Sequence, residues 1–595
     1  MRFDFIMQLF ILNVGVQSFI LYIYFNYYFQ ILLTKYFSKF QNEYDYIIIG
    51  SGTAGSVIAH NLVTKTNFTF IVIEAGGESN SLFEIPVLGP MLHNSVFDWQ
   101  YETIPQQNAC LAMNYKKCKL PQGKIVGGSS KLNNMVHIRG NISHYASWFY
   151  GKYHESYLNR HFDMIEKNLL HLNEVQYESE MATAIAEAAE ELGYSRLGSE
   201  FKVGYRKSKL SQKNGKRWTI SDNLDSSKYV LSNALVEKVI IVNDIAKGVT
   251  VQISDKKHNI FARKGVILSA GTINTPKILQ LSGIGPPNIL NNLNIPVIKN
   301  LPVGYNLQDH VTTGLDLILF NKTLSVNAMS MLDVFNVYQY FFHGKGPLTT
   351  AGCEAITFLS TKGENIPDIQ FMVMPVGISS DRGSYLRLAL GINDSVWEDY
   401  FEKFFDKHAA TILPIVLHPK SKGQVHIITT DPETPPLIDP KYLSHDEDVK
   451  TLIKGLKLVQ RFLNTKAMEK VGAFINPQHY PGCKSHTIFS DSYWDCYVRH
   501  LTLTSYHYVG TCSMGLTSSN SVVDTSFRVF GVANLYVADA SVLPTLPSGN
   551  INAAVAMMAS VFFDENINLV KKVRNSEHCH KYQLLYELIH KICLI

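Results

Sequence analysis

Charge is scarce in this 595-residue chain and is not concentrated in any one region. Charged residues make up 17% of the sequence, and 54 basic against 50 acidic side chains give a net charge of +4. The chain lacks basic runs and any alternation of basic with aromatic residues, so it does not indicate a nucleic-acid partner. No set of Cys and His residues before the C-terminal tail has the spacing of metal ligands, so we predict no metal site.

The N-terminal region lacks charge altogether from Phe5 to Thr34 and is dense in Phe, Ile, Leu and Tyr. About 20 apolar residues span a bilayer, and this stretch exceeds the ~7–15 apolar residues of an ordinary signal peptide. Asn and Gln side chains within it weaken the case for a membrane span. We interpret residues 1–40 as a hydrophobic signal or anchor segment, which implies a secreted or lumenal protein. Membrane association through residues 5–34 is one version of this interpretation, and a buried core helix is the alternative.

Cysteine is also scarce, with eight residues in the whole chain. Cys110 lies close in sequence to Cys118, and Cys483 lies close to Cys496. These local pairs are consistent with two disulfides formed in an oxidising compartment, which agrees with export. Cys579 stands between two His residues of the tail, where a solvated segment is a better interpretation than a metal site.

A strand-turn-helix pattern begins at Tyr46. The apolar run 46–49 predicts a buried parallel strand, and residues 56–62 predict a helix. Between them, Gly50, Gly52 and Gly55 form the motif Gly-x-Gly-x-x-Gly. The first glycine allows a tight turn, the second lets the backbone approach a pyrophosphate, and the third lets helix and strand pack closely. The N-terminus of the helix offers unpaired N–H groups to the phosphates.

A second apolar strand, predicted over residues 68–73, ends at Glu74. Glu74 follows the glycine motif at the sequence spacing typical of the acidic residue that accepts hydrogen bonds from an adenosine ribose. The two features together predict a dinucleotide-binding domain. A structural strand-turn-helix without a ligand is the alternative.

Three further segments carry a resemblance to a known family. Residues 123–133 form a loop rich in Gly and Ser, residues 271–285 follow a predicted strand at 265–270, and residues 302–310 form the third segment. With the glycine motif, these segments resemble the signatures of the glucose-methanol-choline (GMC) oxidoreductase family over roughly residues 42–567. The paired cysteines and the leading apolar stretch resemble the branch of insect glucose dehydrogenases and ecdysone oxidases.

The C-terminal block resembles the catalytic segment of that family. It comprises residues 505–515, a predicted strand at 535–538 and residues 548–554. The resemblance implies that His507 is the general base and that Asn550 holds the substrate oxygen. An imidazole titrates near neutral pH, which suits it to accept a hydroxyl proton. His310 is the next candidate for the base.

The resemblance implies an α/β fold with a discontinuous Rossmann-type FAD-binding domain and a second, α+β substrate domain built on an antiparallel sheet. The implied boundaries are 42–310 for the first part of the FAD domain, with a substrate-domain insertion at about 141–230, 311–504 for the substrate domain, 505–567 for the closing segment and 568–595 for the tail.

The resemblance also implies the cofactor, FAD, and the residues that bind it. These are Gly50, Gly52, Thr53, Ala54, Gly55, Glu74, Ala75, Trp99, Gly127, Ser130, Asn133, Val136, Val236, Ala270, Tyr506, Asp539, Ala540, Asn552 and Ala553. The implied substrate is a small-molecule alcohol of the sugar, ecdysteroid or sterol type, and the implied electron acceptor is oxygen or a quinone.

Two other functions stay open at this point. The glycine motif alone would also serve a nicotinamide enzyme, although the other segments argue against one. A secreted flavin-binding protein without catalysis is the second alternative. It is kept open by His137 and Ser560, which depart from the family pattern, and by a shortened stretch before the helix predicted at residues 178–192.

Overall fold

The computed structural model describes residues 2–37, 39–198, 200–322, 324, 331, 333–405 and 407–568, so the predicted tail lies outside the described residues except for Asn568. Two large sheets dominate this part of the chain, one built around parallel strands and one antiparallel. Each has its own hydrophobic core. The predicted α/β fold class is confirmed.

The first sheet has seven strands, and its centre is parallel. Glu43–Ile49 lies between Phe70–Ile73 and Lys256–Leu268 and runs parallel to both. Ile47, Ile48 and Ile49 are all buried, as expected for a strand covered on both faces. Leu535–Val537 pairs in parallel with Lys256–Leu268, so the C-terminal part of the chain returns to this sheet. The other strands are Ala234–Val242, Ile245–Ile253 and Val230–Leu231.

Two helices pack on the parallel sheet. Thr53–Lys65 follows the first strand directly, and Asn552–Phe563 packs against it. All but the first residue of Asn552–Phe563 are buried. A helix that is apolar on every side is stable only inside a core. The last helix therefore belongs to the interior, beside the glycine motif.

The second sheet has six strands and is antiparallel. In spatial order its strands are Ala473–Ile475, Ile318–Phe320, His408–Val416, Ile369–Met374, Ala355–Leu359 and Gly204–Lys207. The amphipathic helices Asp446–Leu463 and Glu180–Glu191 contribute the buried side chains of their apolar faces to its core.

Short sheets and further helices complete the described residues. The short strands are Tyr101–Glu102, Lys119–Leu120, Leu172–Glu174, Lys209–Lys213, Lys216–Arg217, Tyr305–Leu307, Gly423–His426, Leu437–Asp439, Val311–Thr312 and Leu503–Thr504. The remaining α-helices are Arg2–Phe37, Leu88–Met91, Ile142–Trp148, Glu155–Asn168, Ser226–Tyr229, Gly271–Leu281, Pro287–Asn292, Val334–His343, Leu386–Leu390, Asp394–Asp399, Lys466–Lys470 and Asp491–His500.

The N-terminal segment forms one helix, Arg2–Phe37, whose C-terminal half lies against the protein. Ile23 is buried beside Phe83, and the Gln30 side chain donates to the Glu78 carbonyl at 3.2 Å. Within the described residues, no helix combines the length and the hydropathy that a membrane span requires. The predicted span over residues 5–34 is therefore not supported.

Both predicted disulfides are present, Cys110–Cys118 and Cys483–Cys496. The ring nitrogen Nδ1 of His500 lies 3.6 Å from Cys496 Sγ, so this second pair and His500 form the one Cys/His cluster of ligand-like geometry among the described residues. Its two sulfurs are joined to each other. Cys353 and Cys512 are buried free thiols.

Candidate active site

Two glycine-rich loops meet at the carboxyl end of the parallel sheet. Gly52 lies at the N-terminus of the helix Thr53–Lys65, and Gly128 of the second loop faces it. A Cβ atom on Gly128 would lie 2.9 Å from the Gly52 Cα, and its φ of +56° also disfavours other residues. The loops therefore come this close only because Gly128 lacks a side chain.

Glu74 ends the neighbouring strand and is buried. Its carboxylate accepts hydrogen bonds from the Ser51 N–H at 2.9 Å, the Ser51 hydroxyl at 2.7 Å and the Gly76 N–H at 2.9 Å. Burial raises the pKa of Glu74, and these donors oppose that shift. The carboxylate thus ties the glycine loop to the end of the strand and lies in the wall of a large cavity.

One cavity runs past both loops and reaches the C-terminal block. Most of the residues implied by the family resemblance line it: Gly50, Gly52, Thr53, Ala54, Glu74, Ala75, Trp99, Ser130, Asn133, Val136, Val236, Ala270, Tyr506, His507, Asp539, Ala540, Asn550 and Asn552. The nucleotide motif, the second glycine loop and the proposed catalytic residues therefore share one site.

Three implied residues lie behind the wall of this cavity. A Cβ atom on Gly55 would meet the Gly50 carbonyl at 2.0 Å, so Gly55 allows the helix to pack against the strand. Gly127 donates its N–H to the Ser51 hydroxyl at 3.1 Å. Ala553 is buried in the last helix. These residues shape the loops and do not face the cavity.

Asp539 lines the cavity, but its carboxylate is engaged by two backbone N–H groups and two hydroxyl groups. One oxygen accepts from the Gly271 N–H at 2.9 Å and from the Thr275 hydroxyl at 2.6 Å. The other accepts from the N–H and hydroxyl of Ser541 at 2.8 and 2.5 Å. Asp539 therefore fixes the helix Gly271–Leu281 and the segment after the closing strand.

The residues present fit a dinucleotide cofactor. The close approach of Gly52 and Gly128 leaves backbone N–H groups at a helix N-terminus free of side chains, which suits a pyrophosphate. Trp99 lines the same cavity, and Lys124 Nζ lies 4.8 Å from the centre of its ring. Val236 is buried in the sheet strand that lines the cavity beside Glu74.

The backbone around His507 is held by a segment far away in sequence. Gln308 and Val509 exchange backbone hydrogen bonds at 3.0 and 2.9 Å. Asp309 accepts from the His507 N–H at 2.9 Å and from the Tyr442 hydroxyl at 2.5 Å, and the Thr504 hydroxyl also donates to it. The position of the His507 backbone is thereby fixed.

The His507 ring has polar partners on both nitrogens. Its Nδ1 lies 2.9 Å from His310 Nδ1, and its Nε2 lies 3.2 Å from Asn550 Nδ2. Burial lowers the pKa of His507 to about 4. The imidazole is therefore neutral at ordinary pH and has a lone pair with which to accept a proton.

Asn550 and Asn552 have separate partners. The Asn550 carbonyl oxygen accepts from Gln370 Nε2 at 3.2 Å, while its amide nitrogen faces His507. Asn552 Oδ1 accepts from the Thr53 hydroxyl at 2.5 Å, next to the glycine motif. Asn550 thus stands at the His507 end of the cavity and Asn552 at the nucleotide end.

The two residues that depart from the family pattern have structural partners. His137 Nε2 lies 2.8 Å from Glu166, which also accepts from Arg139 at 2.6 Å. Hydrogen bonds from Arg139 and His137 overcome the effect of partial burial and lower the pKa of Glu166 to about 2. Ser560 is buried and lies 2.8 Å from His161 Nδ1. Both side chains therefore have hydrogen-bond partners within the fold, away from the His507 ring.

Sequence reasoning missed two contacts of this site. Gln370 was not singled out, because it lies in an ordinary apolar strand of the antiparallel sheet. His310 was considered only as a substitute base, whereas its ring contacts that of His507. The one sequence feature that pointed to His310 was its place at the end of the segment 302–310, which resembles a signature of the family.

Comparison with known proteins decides the family. Two family models, both described as GMC oxidoreductase, match residues 44–312 and 419–559, which together exceed half of the chain. The chain belongs to the GMC oxidoreductase family. It is accordingly an FAD-dependent oxidoreductase acting on alcohol-type substrates.

Curated relatives of this GMC protein cover nearly its whole length. The glucose dehydrogenase [FAD, quinone] of Drosophila melanogaster is 30% identical over 564 residues, covering 88% of this chain and 87% of the relative. The ecdysone oxidase of Spodoptera littoralis is 28% identical over 557 residues, covering 88% and 91%. The predicted branch resemblance is confirmed by these relatives.

Solved structures show the same fold. Formate oxidase matches with a TM-score of 0.77 at 22% identity, covering 90% of this chain and 100% of that structure. Pyridoxine 4-oxidase from Mesorbium loti matches with a TM-score of 0.72 at 24% identity, covering 87% and 98%. At these identities the likeness concerns the fold alone.

Proposed function

We propose that this GMC protein oxidises the CH–OH group of an apolar alcohol, with His507 as the general base. The chemistry that bound FAD supplies is acceptance of the hydride at N5. The observation that carries the proposal is that His507 and Asn550 stand in the same cavity as the glycine motif. The residues that would hold FAD are those of the two glycine loops, Glu74 and the segment at Ala540.

His507 Nε2 would take the hydroxyl proton. The buried ring is neutral, and its Nε2 is directed at Asn550 inside the cavity. A hydroxyl that enters between them donates its proton to Nε2 as the carbon loses hydride. General-base catalysis of this kind contributes about 10²–10⁴ in rate.

Asn550 would hold the substrate oxygen. Its amide N–H groups point to His507, because its carbonyl oxygen is engaged by Gln370. An N–H aimed at an oxygen that gains negative charge lowers the barrier, and one such donor is worth about 10²–10³ in rate. The pair thus binds the hydroxyl group from both sides.

The lining beyond His507 favours an apolar substrate over a sugar. The antiparallel sheet and the segments beside it contribute mostly apolar side chains, among them Leu315, Met372, Met374, Ile378, Leu390 and Leu413. A sugar presents several hydroxyl groups, and each one buried without a partner costs binding energy. This lining suits an alcohol with a large hydrocarbon surface, such as a sterol-like or aryl alcohol.

Two hydroxyl groups of this lining, those of Tyr385 and Thr312, are already engaged, whereas the buried Ser505 hydroxyl has no hydrogen-bond partner among the described residues. The Tyr385 hydroxyl donates to the His93 carbonyl at 2.8 Å, and the Thr312 hydroxyl donates to the Pro414 carbonyl at 3.0 Å. They have no second proton to donate to a substrate. Of the two insect relatives, the one named ecdysone oxidase therefore agrees better with this cavity than the one named glucose dehydrogenase.

The compartment that we propose is oxidising, either the secretory lumen or outside the cell. Two disulfides join cysteines that are close in sequence, and such bonds persist where the surroundings are oxidising. Oxygen or a quinone takes the electrons in the second half of the reaction.

An anaerobic bleaching experiment tests the function and its substrate class. Purified holoenzyme is mixed without oxygen with ecdysone, cholesterol, benzyl alcohol, glucose or choline, and flavin absorbance is followed. We expect bleaching by one or more of the first three and little by glucose or choline. Bleaching by glucose alone would overturn the apolar substrate. A flavin that none of a wider alcohol panel bleaches would favour a flavin-binding protein without catalysis.

A further inference from the structure

A chain of four hydrogen bonds crosses the proposed catalytic centre. Gln370 Nε2 donates to Asn550 Oδ1 at 3.2 Å, and Asn550 Nδ2 lies 3.2 Å from His507 Nε2. His507 Nδ1 then lies 2.9 Å from His310 Nδ1, and His310 Nε2 lies 3.0 Å from the Leu417 carbonyl oxygen. The chain therefore joins an amide on one side to a backbone carbonyl on the other.

The carbonyl of Leu417 sets the direction of the hydrogen bond between the two imidazole rings. A carbonyl can only accept, so His310 Nε2 carries the proton that it donates. A neutral imidazole has one N–H, which leaves a lone pair on His310 Nδ1. His507 Nδ1 must then carry the proton between the two rings, and His507 Nε2 is left with the lone pair.

We propose that His310 is a positioning residue that selects the tautomer of His507 in which Nε2 can accept a proton. This inference rests on the function proposed above, in which His507 is the base. His310 contacts neither substrate nor cofactor in this account and acts through the His507 ring. The assignment goes beyond the general base itself, since it explains which nitrogen of that base is available.

The surroundings of His310 favour a neutral ring that only accepts from His507. Burial, followed by the nearby His507, lowers the pKa of His310 well below its ordinary value, while the backbone carbonyls of Leu417 and Pro547 oppose this. The hydrogen bond of defined geometry is the one from Nε2 to Leu417. His418 and Asp309 are titratable groups beside this pair of rings: burial, with His144 and His310 nearby, lowers the pKa of His418 to about 3, and the Asp309 carboxyl is held by backbone and hydroxyl donors. His418 therefore brings no charge that would compete with His507 for the His310 lone pair.

The same arrangement stabilises His507 once it is protonated. When Nε2 takes the substrate proton, the ring becomes an imidazolium that donates from both nitrogens. The His310 lone pair already faces Nδ1, so no group has to turn as the charge develops. The Leu417 carbonyl follows the strand His408–Val416 and holds His310 in place.

At the other end of the chain, Gln370 orients Asn550 so that Asn550 also faces a lone pair on His507 Nε2. Its amide nitrogen donates to Asn550 Oδ1, which turns the Asn550 amide nitrogen towards His507 Nε2. A flipped Asn550 would place its carbonyl oxygen against the Nε2 lone pair, and two acceptors repel each other. Both ends of the chain therefore specify the same lone pair on His507 Nε2.

Neutron diffraction from crystals of the FAD-loaded protein in heavy water tests the tautomers without any substrate. We expect deuterium on His507 Nδ1 and on His310 Nε2, and none on His507 Nε2 or His310 Nδ1. Deuterium on His310 Nδ1, or on His507 Nε2, would overturn the proposal. This measurement does not depend on whether the enzyme turns over.

Variants of His310 test the consequence for the reaction. His310→Leu removes the acceptor, and we expect flavin reduction by the best bleaching alcohol to slow about 10–100-fold, as when the partner behind a functional histidine is lost. His310→Asn places an amide oxygen near the former Nδ1 and should restore most of the rate. His161→Leu removes another buried histidine that lies outside the cavity, and it should leave the rate unchanged.

A double-mutant cycle separates positioning from a structural role. In a His507→Ala background, His310→Leu should change the rate of flavin reduction less than ~3-fold, because its effect passes through the absent ring. An equal loss in both backgrounds would overturn the proposal. If His507→Ala leaves the rate of flavin reduction unchanged, His507 is not the base and the proposed function is wrong on that point. The neutron measurement still decides the tautomers of His310 and His507, because it does not depend on the reaction.

Discussion

Asp309 accepts a hydrogen bond from the backbone N–H of His507 at 2.9 Å, across 198 residues of sequence. The same carboxylate accepts from the hydroxyls of Tyr442 and Thr504. One buried acidic residue therefore holds the loop of the proposed base against the segment that carries His310. The stability of this loop therefore depends in part on the charge of this carboxyl group.

Replacement of Asp309 should change how stability depends on pH. Burial raises its pKa to about 7, against the opposing hydrogen bonds, so the folded protein holds a proton that the unfolded chain releases near its ordinary value of 3.8. The stabilisation is present at low pH and is lost as the pH rises through about 7. From about pH 5 to 7 this loss amounts to about 2–3 kcal/mol. In urea unfolding, the free energy of unfolding of Asp309→Asn, which mimics the protonated acid, should fall correspondingly less between about pH 5 and 7 than that of the wild type. An equal fall in both proteins would contradict the raised pKa of Asp309.

Gly128→Ala should weaken FAD binding. The added Cβ would lie 2.9 Å from the Gly52 Cα and push the two loops apart. Gly151→Ala is the matched control, because Gly151 also has a positive φ, of +81°, but open space around it. We expect purified Gly128→Ala to retain far less flavin absorbance per protein than the control. Equal flavin content in both variants would show that the contact between the loops does not matter for the cofactor.

Leu390→Asn should impair oxidation of an apolar alcohol. Leu390 lines the cavity, whereas Leu388 of the same short helix is 54% exposed. A polar side chain in the apolar wall leaves an unpaired group against the substrate, and we expect kcat/KM to fall about 10–100-fold. Leu388→Asn should leave kcat/KM close to that of the wild type. A similar effect of both substitutions would locate the substrate elsewhere.

Loss of the disulfide Cys483–Cys496 should destabilise the fold. The bridge spans 13 residues, and a loop of about that size stabilises a protein by ~3 kcal/mol through the unfolded chain. The variant Cys483→Ser/Cys496→Ser should lower the free energy of unfolding in urea by about 2–4 kcal/mol at unchanged flavin content. The free energy of unfolding of the mildly reduced wild type should approach that of the variant. If neither the substitutions nor reduction lowers the free energy of unfolding, a structural role of the disulfide is contradicted.

Much of this site could be predicted where its residues form one continuous signature. Gly50, Gly52 and Glu74 lie within one strand-turn-helix-strand unit, and His507 lies within the C-terminal block, so each was found from its neighbours in sequence. A strand was predicted at 535–538 within the closing segment of the FAD domain, and the observed strand Leu535–Val537 pairs with Lys256–Leu268 of the parallel sheet. Local patterns sufficed for these features.

The partners of the proposed catalytic residues could not be predicted in the same way. The contact between His310 and His507 spans 197 residues, and that between Gln370 and Asn550 spans 180. Both depend on how the antiparallel sheet lies over the closing segment, which no local pattern records. The N-terminal stretch was interpreted from hydropathy alone, which could not show that Ile23 packs against Phe83.

The central claim is that His507 accepts the substrate proton, and single-turnover flavin reduction tests it most directly. His507→Ala should bind FAD as the wild type does, judged from its absorbance, but its flavin should be reduced about 10²–10⁴ times more slowly by the same alcohol. Because burial lowers the pKa of His507 to about 4, the wild-type rate should fall as the pH drops through about 4, and the variant should lack this step. Reduction of the His507→Ala flavin at the wild-type rate, with the same pH dependence, would contradict the account.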